Sequence, residues 1–286
     1  MNTLKKRVYS LLLLFSLPFL HSCSTSYVYN NLDWLVHWYV DDYVELTSGQ
    51  KKDFDKRFSQ LQQWHKESEL QDYQQWLEGI REQLSQPQLS RKDILVSVRS
   101  HRQKVMMFRD RLIARAEPHL LHLLEQLSEQ QRQELTNNIS KQMLKRYESR
   151  LVMSRKEWEQ DKMARMKKRL KPWVGSLNRN QKKALKSWAG NLHNLEQQNR
   201  EFRLNWLARL TELRAVPLPQ RHEKLKELLA NPDRLRKPDH LQRLMENREL
   251  TDAAIAEVIA LRSNQQNKVA LAEIKQWLQR IKSGRS

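Results

Sequence analysis

The apolar residues of this chain recur every three or four positions, and glycine almost never interrupts them. One such series runs Phe54, Phe58, Leu61, Leu70, Tyr73, Trp76, Leu77, Ile80 and Leu84. This spacing places the apolar side chains on one face of an α-helix. Only five glycines occur in 286 residues, and no stretch alternates as a strand would. The sequence therefore predicts an all-α fold, an elongated antiparallel helical bundle with long helices and no sheet.

Prolines divide the periodic stretches, because proline lacks a backbone N–H and ends or kinks a helix. Beyond the N-terminal segment they are Pro87, Pro118, Pro172, Pro217, Pro219, Pro232 and Pro238. We expect the helices to break at each of them. The predicted helices cover about 32–44, 50–84, 90–116, 128–171, 178–215, 219–230, 238–248 and 251–282.

The longest predicted helix, over residues 128–171, would measure about 65 Å if straight. Its C-terminal half is largely polar and basic. We therefore expect an elongated hairpin that protrudes from a smaller helical body. The alternative is a kink near Ser154 that folds the second half back.

Three predicted helix starts share one pattern, with leucine before a capping residue and glutamine three positions after the cap. They are Leu46-Thr47-x-x-Gln50, Leu127-Ser128-x-x-Gln131 and Leu177-Asn178-x-x-Gln181. In such a capping box the cap oxygen accepts a backbone N–H, and the glutamine reaches back to the N–H of the cap. The copies are unequally spaced, which excludes a fixed-period repeat.

The N-terminus has the features of a bacterial export signal. A basic stretch at residues 5–7 precedes an apolar run at residues 8–20, shorter than the ~20 residues that a membrane span needs. Cys23, the only cysteine, then stands where bacterial lipoproteins carry the residue that is lipidated and becomes the new N-terminus. His21 replaces the small residue usual at its position, which leaves ordinary cleavage nearby or an uncleaved anchor as alternatives.

The predicted organisation is a signal peptide at residues 1–22, a lipidated N-terminus and short tether at 23–30, and an all-helical periplasmic domain at 31–286, with a sub-boundary near 172–178 or 217. Ser24, which follows the cysteine where some lipoproteins carry aspartate, favours the outer membrane and an orientation toward the periplasm. The anchor would carry fatty acids such as palmitate. A lone cysteine forms no intramolecular disulfide, so packing must stabilise the fold.

Basic side chains are concentrated in the middle of the chain. Residues 23–90 hold 6 basic and 11 acidic groups, whereas residues 141–186 hold 16 basic and 4 acidic groups. Such a charge distribution attracts polyanions, although a plain solvated charge run is the alternative. Export argues against nucleic acid, which leaves phospholipid headgroups, acidic glycans or an acidic envelope protein. The candidate anion- or membrane-binding residues are Lys145, Arg146, Arg150, Arg155, Lys156, Lys162, Arg165, Lys167, Lys168, Arg169 and Lys171.

Aromatic and acidic residues are densest at residues 33–43. On a helix, several of them share neighbouring faces, because residues four apart are adjacent. One interpretation is a carboxylate-bearing aromatic pocket formed by Asp33, Trp34, His37, Trp38, Asp41 and Asp42. The alternative is a core helix whose aromatic residues pack and whose polar groups cap or pair.

No motif of catalysis or cofactor binding is present. His119 and His122 stand one helical turn apart, but no cysteine or His-Glu pair lies nearby to complete a zinc site, and core or solvated histidines are the simpler reading. Gly-x-Gly-x-x-Gly, phosphate-loop, Gly-x-Ser-x-Gly and His-Glu-x-x-His patterns are absent. We therefore expect no metal, no cofactor and no enzymatic activity.

Two resemblances extend this interpretation. Leu46-Thr47-x-x-Gln50 resembles the Leu-Thr-x-x-Gln motif of periplasmic stress chaperones of the Spy and CpxP type, cradle-shaped helical hairpins that bind unfolded clients. The layout of the chain resembles an uncharacterised family of proteobacterial lipoproteins, a domain of unknown function. That second resemblance rests on Cys23, on Tyr29-Asn30-Asn31-Leu32-Asp33-Trp34-Leu35, on Trp38-Tyr39-Val40-Asp41-Asp42-Tyr43 and on Leu46-Thr47-x-x-Gln50. It implies export and anchoring but no particular activity.

Three functions follow, in order of preference. The first is a non-catalytic, outer-membrane lipoprotein that binds an acidic or partly unfolded partner in the periplasm, as an adaptor or chaperone does. The second is a structural tether whose basic helix contacts anionic membrane headgroups. The third is an enzyme acting on envelope glycans through Asp33, Asp41 or Asp42.

Lipidation at Cys23 can be tested directly. We expect the protein to incorporate a clickable fatty acid in cells and Cys23→Ala to lose the label completely, because the chain has no other thiol. In-gel fluorescence measures the incorporation. A Cys23→Ala protein that still incorporates label would contradict the assignment.

Overall fold

The computed structural model describes Val36, residues 39–86 and residues 89–285, and most of these residues are helical. The helices are α1 (Ser48–Trp64), α2 (Leu70–Ser85), α3 (Arg91–Gln126), α4 (Glu129–Leu151), α5 (Arg155–Val174), α6 (Arg179–Asn191), α7 (Glu196–Glu212), α8 (Leu218–Ala230), α9 (Pro238–Ala260) and α10 (Asn264–Arg285). A π-helical turn, His65–Glu69, joins α1 to α2, and 3-10 turns at Leu213–Ala215 and Pro232–Leu235 flank α8. No strand occurs among the described residues, so the predicted all-α fold is confirmed.

Side-chain caps define where many of these helices begin. At α1, α4 and α6 the predicted capping boxes are confirmed, each with both reciprocal hydrogen bonds. Two further boxes begin α5 and α10, where Ser154 pairs with Glu157 and Ser263 pairs with Gln266. Each box satisfies N–H groups that a helix leaves unpaired at its N-terminus.

The capping glutamines of α1 and α4 also bind each other. Gln50 Nε2 donates to Gln131 Oε1 over 3.0 Å, and Gln131 Nε2 donates to Gln50 Oε1 over 2.8 Å. Each amide also donates to a carbonyl just before the partner helix, Gln50 to Gln126 at 2.8 Å and Gln131 to Glu45 at 2.7 Å. The starts of the two helices are thus joined by hydrogen bonds of approximate twofold symmetry.

The capping glutamines of α6 and α10 repeat this arrangement inside the core. Gln181 and Gln266, only 0% and 7% exposed, exchange hydrogen bonds of 3.0 and 2.9 Å. Gln266 also donates to the Ser176 carbonyl and Gln181 to the Val258 carbonyl, each at 2.8 Å. Their Oε1 atoms accept the N–H groups of their own cap residues. Each buried amide therefore uses both donors and both acceptor positions, as a polar group inside a core must.

The main apolar core lies between α5, α6 and α9. Trp158 and Met166 of α5 pack with Leu185 and Trp188 of α6 and with Val258 of α9. Around this core, α10 packs against α2 and α5, α4 packs against α7, and α3 packs against α1, α8 and α9. α6 thus lies between α5 and α9.

The expected single helix over residues 128–171 is wrong. α4 ends at Leu151, and α5 begins after Ser154, whose hydroxyl accepts the N–H of Glu157 while the Glu157 carboxylate accepts the N–H of Ser154. The break turns the second half back onto the body, where Trp158 is only 2% exposed. The expected protruding hairpin is therefore replaced by the alternative, a helix folded back into the core.

Prolines do not end every helix, contrary to expectation. Pro118 lies inside α3, and Pro172 lies in the last turn of α5, where only the final carbonyls are affected. An interior proline costs about 3 kcal/mol. After Pro118, however, Leu121 and Leu124 pack into a cluster of leucines beneath α8. Fully burying a leucine contributes about 1.5–3 kcal/mol, and these two side chains are partly buried, so they offset part of that cost.

Other boundaries differ more modestly from those predicted. α3 runs ten residues beyond residue 116, to Gln126, and α9 continues past residue 248 to Ala260. The predicted helix over 178–215 is interrupted at residues 192–195. The break between the last two helices lies at residues 261–263 rather than near residue 250, because the Ser263 capping box starts α10 there.

The buried glutamine pair is expected to stabilise the fold measurably. Gln266→Ala should lower the free energy of unfolding by about 2–3 kcal/mol, since it removes one donated and one accepted hydrogen bond of the buried Gln181 amide and the hydrogen bond to the Ser176 carbonyl. Urea denaturation measures the loss. The matched control is Gln265→Ala at the exposed neighbouring position, expected to change stability by less than about 0.5 kcal/mol. Equal effects of the two substitutions would contradict the role of the pair.

Candidate binding surfaces

The predicted cations fall into two groups. The first group forms ion pairs within the chain: Arg150, Arg155, Lys162 and Arg165. The second group is exposed: Lys145, Lys156, Lys167, Lys168, Arg169 and Lys171. The side chain of Arg146 lies outside the described part of the structure. The first group contributes to the fold, and the second is open to a partner.

Glu196, at the start of α7, pairs with two cations that the sequence analysis assigned to the binding of an external anion, Arg150 and Lys162. Its side chain is only 5% exposed and accepts hydrogen bonds from Lys162 Nζ at 2.8 Å and from Trp158 Nε1 at 3.3 Å, while Arg150 lies 3.6 Å away. Burial raises the pKa of Glu196, but the hydrogen bond and charge of Lys162 and the charge of Arg150 outweigh it, so the net pKa lies below the ordinary range. This carboxylate ties α4, α5 and α7 together.

α6 carries further exposed cations, which follow those of α5 in the sequence. Gly175, in the left-handed region at φ 62°, allows the turn between the two helices. One face of α6 then carries four exposed cations: Arg179, Lys182, Lys183 and Lys186. The opposite face, with Gln181, Leu185 and Trp188, is buried. No acidic residue occurs between Asp161 and Glu196.

Most residues of the predicted aromatic and acidic pocket lie outside the described part of the structure. Outside the described residues are Cys23, Asp33, Trp34, His37 and Trp38. Asp41 is exposed and pairs with Lys51 at 3.2 Å, and Asp42 is exposed. Tyr43 is buried and donates a hydrogen bond of 2.9 Å to Gln142 of α4. The described end of this segment therefore packs against the bundle.

His119 and His122 make separate contacts. His122 lies 3.0 Å from the Asp53 carboxylate, whereas burial and the charges of Arg57 and Arg115 lower the pKa of His119. Among the described residues, no group of three or more His, Cys, Asp or Glu side chains is placed to hold a metal ion.

A second surface, which the sequence did not suggest, is an open groove of about 900 Å³ along α9. Its apolar lining consists of Pro238, Leu241, Met245, Leu250 and Ala253. Arg99 of α3 and His193 of the loop after α6 form its two sides. Met245 is 56% exposed at its centre. We call this feature the α9 groove.

Ion pairs fix the sides of the α9 groove. Glu246 binds His193 at 2.7 Å, and Glu249 pairs with Arg99. Asn247 holds the backbone of His193 in place, accepting its N–H at 2.8 Å and donating to its carbonyl at 2.9 Å. The acidic groups at the sides are thus paired with basic side chains, and apolar residues lie between them.

The sequence contained a weak signal for this groove. Pro238, Leu241, Met245 and Ala253 lie along one side of a helix, but the predicted break near residue 250 divided that side between two elements. Arg99 and His193 reach it from distant parts of the chain, and no local pattern marks them.

The fold and its surfaces define an all-helical protein with a cationic face and an apolar groove. The chain belongs to the family of unknown function DUF6279, whose profile matches residues 42–241. The match includes Gln50, Gln131 and Gln181 and ends before Gln266. No curated protein and no solved structure shows a significant match. Within the described residues, no helix is both long and apolar enough to cross a membrane.

The Glu196 network predicts a dependence of stability on pH. Glu196→Gln should cost about 1–3 kcal/mol at pH 7, because the mostly buried side chains of Lys162 and Arg150 lose the negative charge of Glu196. Since folding lowers the pKa of Glu196, its contribution is present above the unfolded value of about 4.3 and is lost as the pH falls below it. The variant should therefore lose less stability on acidification than the parent.

Thermal unfolding at several pH values measures both effects. The control is Glu223→Gln at an exposed position of α8, which should leave the pH profile unchanged. Parallel pH profiles for the parent and Glu196→Gln would contradict the prediction.

Proposed function

We propose that this chain is a lipid-anchored protein of the bacterial envelope that binds a segment of a partner polypeptide in the α9 groove without catalysing a reaction. Cys23 would carry the anchor in the outer membrane, and the helical domain would face the periplasm. The apolar lining of the α9 groove, with Met245 more than half exposed, carries the proposal. The net charge is +19 for the whole chain and 19 − 3 = +16 without the three basic residues of the signal segment, which favours an acidic partner.

The shape of the groove favours a polypeptide over a small molecule. Sites for small ligands enclose most of the ligand surface. The α9 groove is open to solvent along its length and runs beside α9 from Pro238 to Ala253, about 22 Å at 1.5 Å per residue. A chain segment can fill such a length, whereas a small molecule would leave most of it empty.

The bound segment is expected to be helical. A peptide that binds by strand addition needs a sheet edge, and the described residues contain no strand; a polyproline peptide docks between aromatic side chains, and no Phe, Tyr or Trp lines the α9 groove. A helix satisfies its own backbone and can lay an apolar face into the groove. About 15 residues, or four turns, would match the 22 Å length.

The chemistry of the groove suits a partner that is recognised by its apolar face. Methionine is flexible and polarisable, so Met245 can adapt to different apolar side chains. On α3, Val96 and Met107 are also more than half exposed and lie on the same side of the helix as Arg99. These residues extend the apolar surface beyond the groove itself, as at many interaction sites.

Site-specific photocrosslinking tests this function. With a photoreactive amino acid in place of Met245, the full-length protein in cells should form an adduct with a partner whose crosslinked peptide has an apolar helical stripe. A synthetic copy of that peptide should bind the purified protein and gain helicity, measured by circular dichroism. Met245→Lys should weaken this binding at least about tenfold while leaving the unfolding temperature within about 2 °C of the parent, since Met245 is exposed.

The matched control is the same photoreactive residue at Val152, which is 82% exposed between α4 and α5. Adducts of equal yield at both positions would contradict a binding groove. So would a peptide that binds Met245→Lys as tightly as it binds the parent.

A further inference from the structure

The end of the α5–α6 hairpin concentrates unpaired positive charge. In the last two turns of α5 it carries Lys167, Lys168 and Lys171, and in the first three turns of α6 it carries Arg179, Lys182, Lys183 and Lys186. All seven side chains are exposed. We call this set the cationic hairpin end.

Among the described residues, no acidic side chain pairs with these cations. Glu157, Glu159 and Asp161 are the only acidic residues of α5, and α6 contains none. Glu157 caps its own helix, while Glu159 and Asp161 pair with Arg155 and Arg165. Within the part of the chain that the structure describes, the members of the cationic hairpin end form no ion pair with any residue. Their mutual repulsion is therefore uncompensated, and an external anion would relieve it.

The composition of the cationic hairpin end distinguishes between two kinds of anionic partner. Six of its seven cations are lysines, and no exposed aromatic residue lies among them. Protein interfaces are enriched in arginine and aromatic residues and depleted in lysine. Lysine is a flexible point charge that makes no bidentate fork, which suits a diffuse layer of phosphates such as the surface of an anionic bilayer.

The rigid backing of the surface also suits a flat partner. The opposite face of α6 is fixed in the core by Leu185, Trp188 and the buried Gln181. The lysine stems can then reach outward from a stable helix. A basic face on a rigid helix is attracted to anionic headgroups over about one Debye length, ~8 Å at physiological salt.

We propose that the cationic hairpin end rests on the anionic phospholipid headgroups of the membrane and so orients the helical domain. This contact is separate from the α9 groove and does not depend on a polypeptide partner. Where a lipid at Cys23 holds the chain at a bilayer, the contact selects which face of the domain is turned toward it.

Lysine footprinting of the full lipidated protein in vesicles tests the proposal. Amine acetylation is followed by mass spectrometry in phosphatidylcholine vesicles with and without phosphatidylglycerol. We expect acetylation of Lys167, Lys182 and Lys186 to slow at least about threefold in the anionic vesicles only, and the protection to disappear in about 1 M salt, where the Debye length is ~3 Å. The internal controls are Lys224 and Lys226, exposed on α8, whose rates should not change.

A matched pair of variants separates this surface from overall charge. Lys182→Gln, Lys183→Gln and Lys186→Gln together should abolish the remaining protection of Lys167. The same number of substitutions at exposed Lys224, Lys226 and Lys268 should leave that protection in place. Unfolding temperatures check that both variants fold.

Three outcomes would overturn the proposal. The first is equal protection in neutral and anionic vesicles, and the second is equal protection of Lys224 and Lys226. The third is protection in intact cells without protection in anionic vesicles, which would assign the surface to an acidic protein. Failure of Met245 photocrosslinking would leave these outcomes unaffected.

Discussion

The fold depends on side-chain amides that connect the end of one helix to the beginning of another. A helix leaves its last carbonyls and its first N–H groups without partners. Gln50 reaches the carbonyl of Gln126 at the end of α3 while capping α1, and Gln181 reaches Val258 near the end of α9 while capping α6. The Asn178 side chain donates a hydrogen bond to a second carbonyl at this end of α9, that of Leu261. One class of side chain therefore satisfies both kinds of unpaired group and joins helices that are far apart in sequence.

These amide junctions give positional information that apolar packing lacks. Leucines on neighbouring helices can pack in several registers, because hydrophobic contact has no direction. A glutamine that must place four hydrogen bonds at once fits one register only. At the buried junction, a shifted register would leave the amides of Gln181 and Gln266 in the core without hydrogen bonds. Each unsatisfied group would destabilise the fold by about 1–3 kcal/mol. The junction thereby fixes α6, and with it the outward direction of Lys182, Lys183 and Lys186.

The local parts of this structure were predictable and the long-range parts were not. A capping box needs residues only three positions apart, so Thr47 with Gln50 and Asn178 with Gln181 were identified from the sequence. The pairing of Gln50 with Gln131 joins residues 81 positions apart and has no local signature. A kink near Ser154 was the alternative prediction, and the capping box that makes it, Ser154-x-x-Glu157, uses glutamate in place of glutamine.

The same distinction explains the candidate sites. Charge density in the sequence correctly located a basic region, but it could not show that Glu196 would fold back to bind Lys162 and Arg150. Charge density also could not show that the exposed cations of α6 lie beside those of α5, because the turn at Gly175 brings the two helices together. The α9 groove depends on Arg99 and His193, which α3 and the loop after α6 bring to the two sides of α9.

The position of the junctions also explains why outward faces are available for binding. The amide pairs lie at helix ends and do not involve the solvent faces of α9 and α6. Met245 can therefore remain exposed on α9, and four cations can share one face of α6, without weakening the contacts that hold these helices. Beside the groove, the side-chain amide of Asn247 likewise hydrogen-bonds to the backbone N–H and carbonyl of His193. A bundle fastened by amides at its ends thus leaves its outward faces free to evolve binding surfaces of different chemistry, one apolar and one cationic.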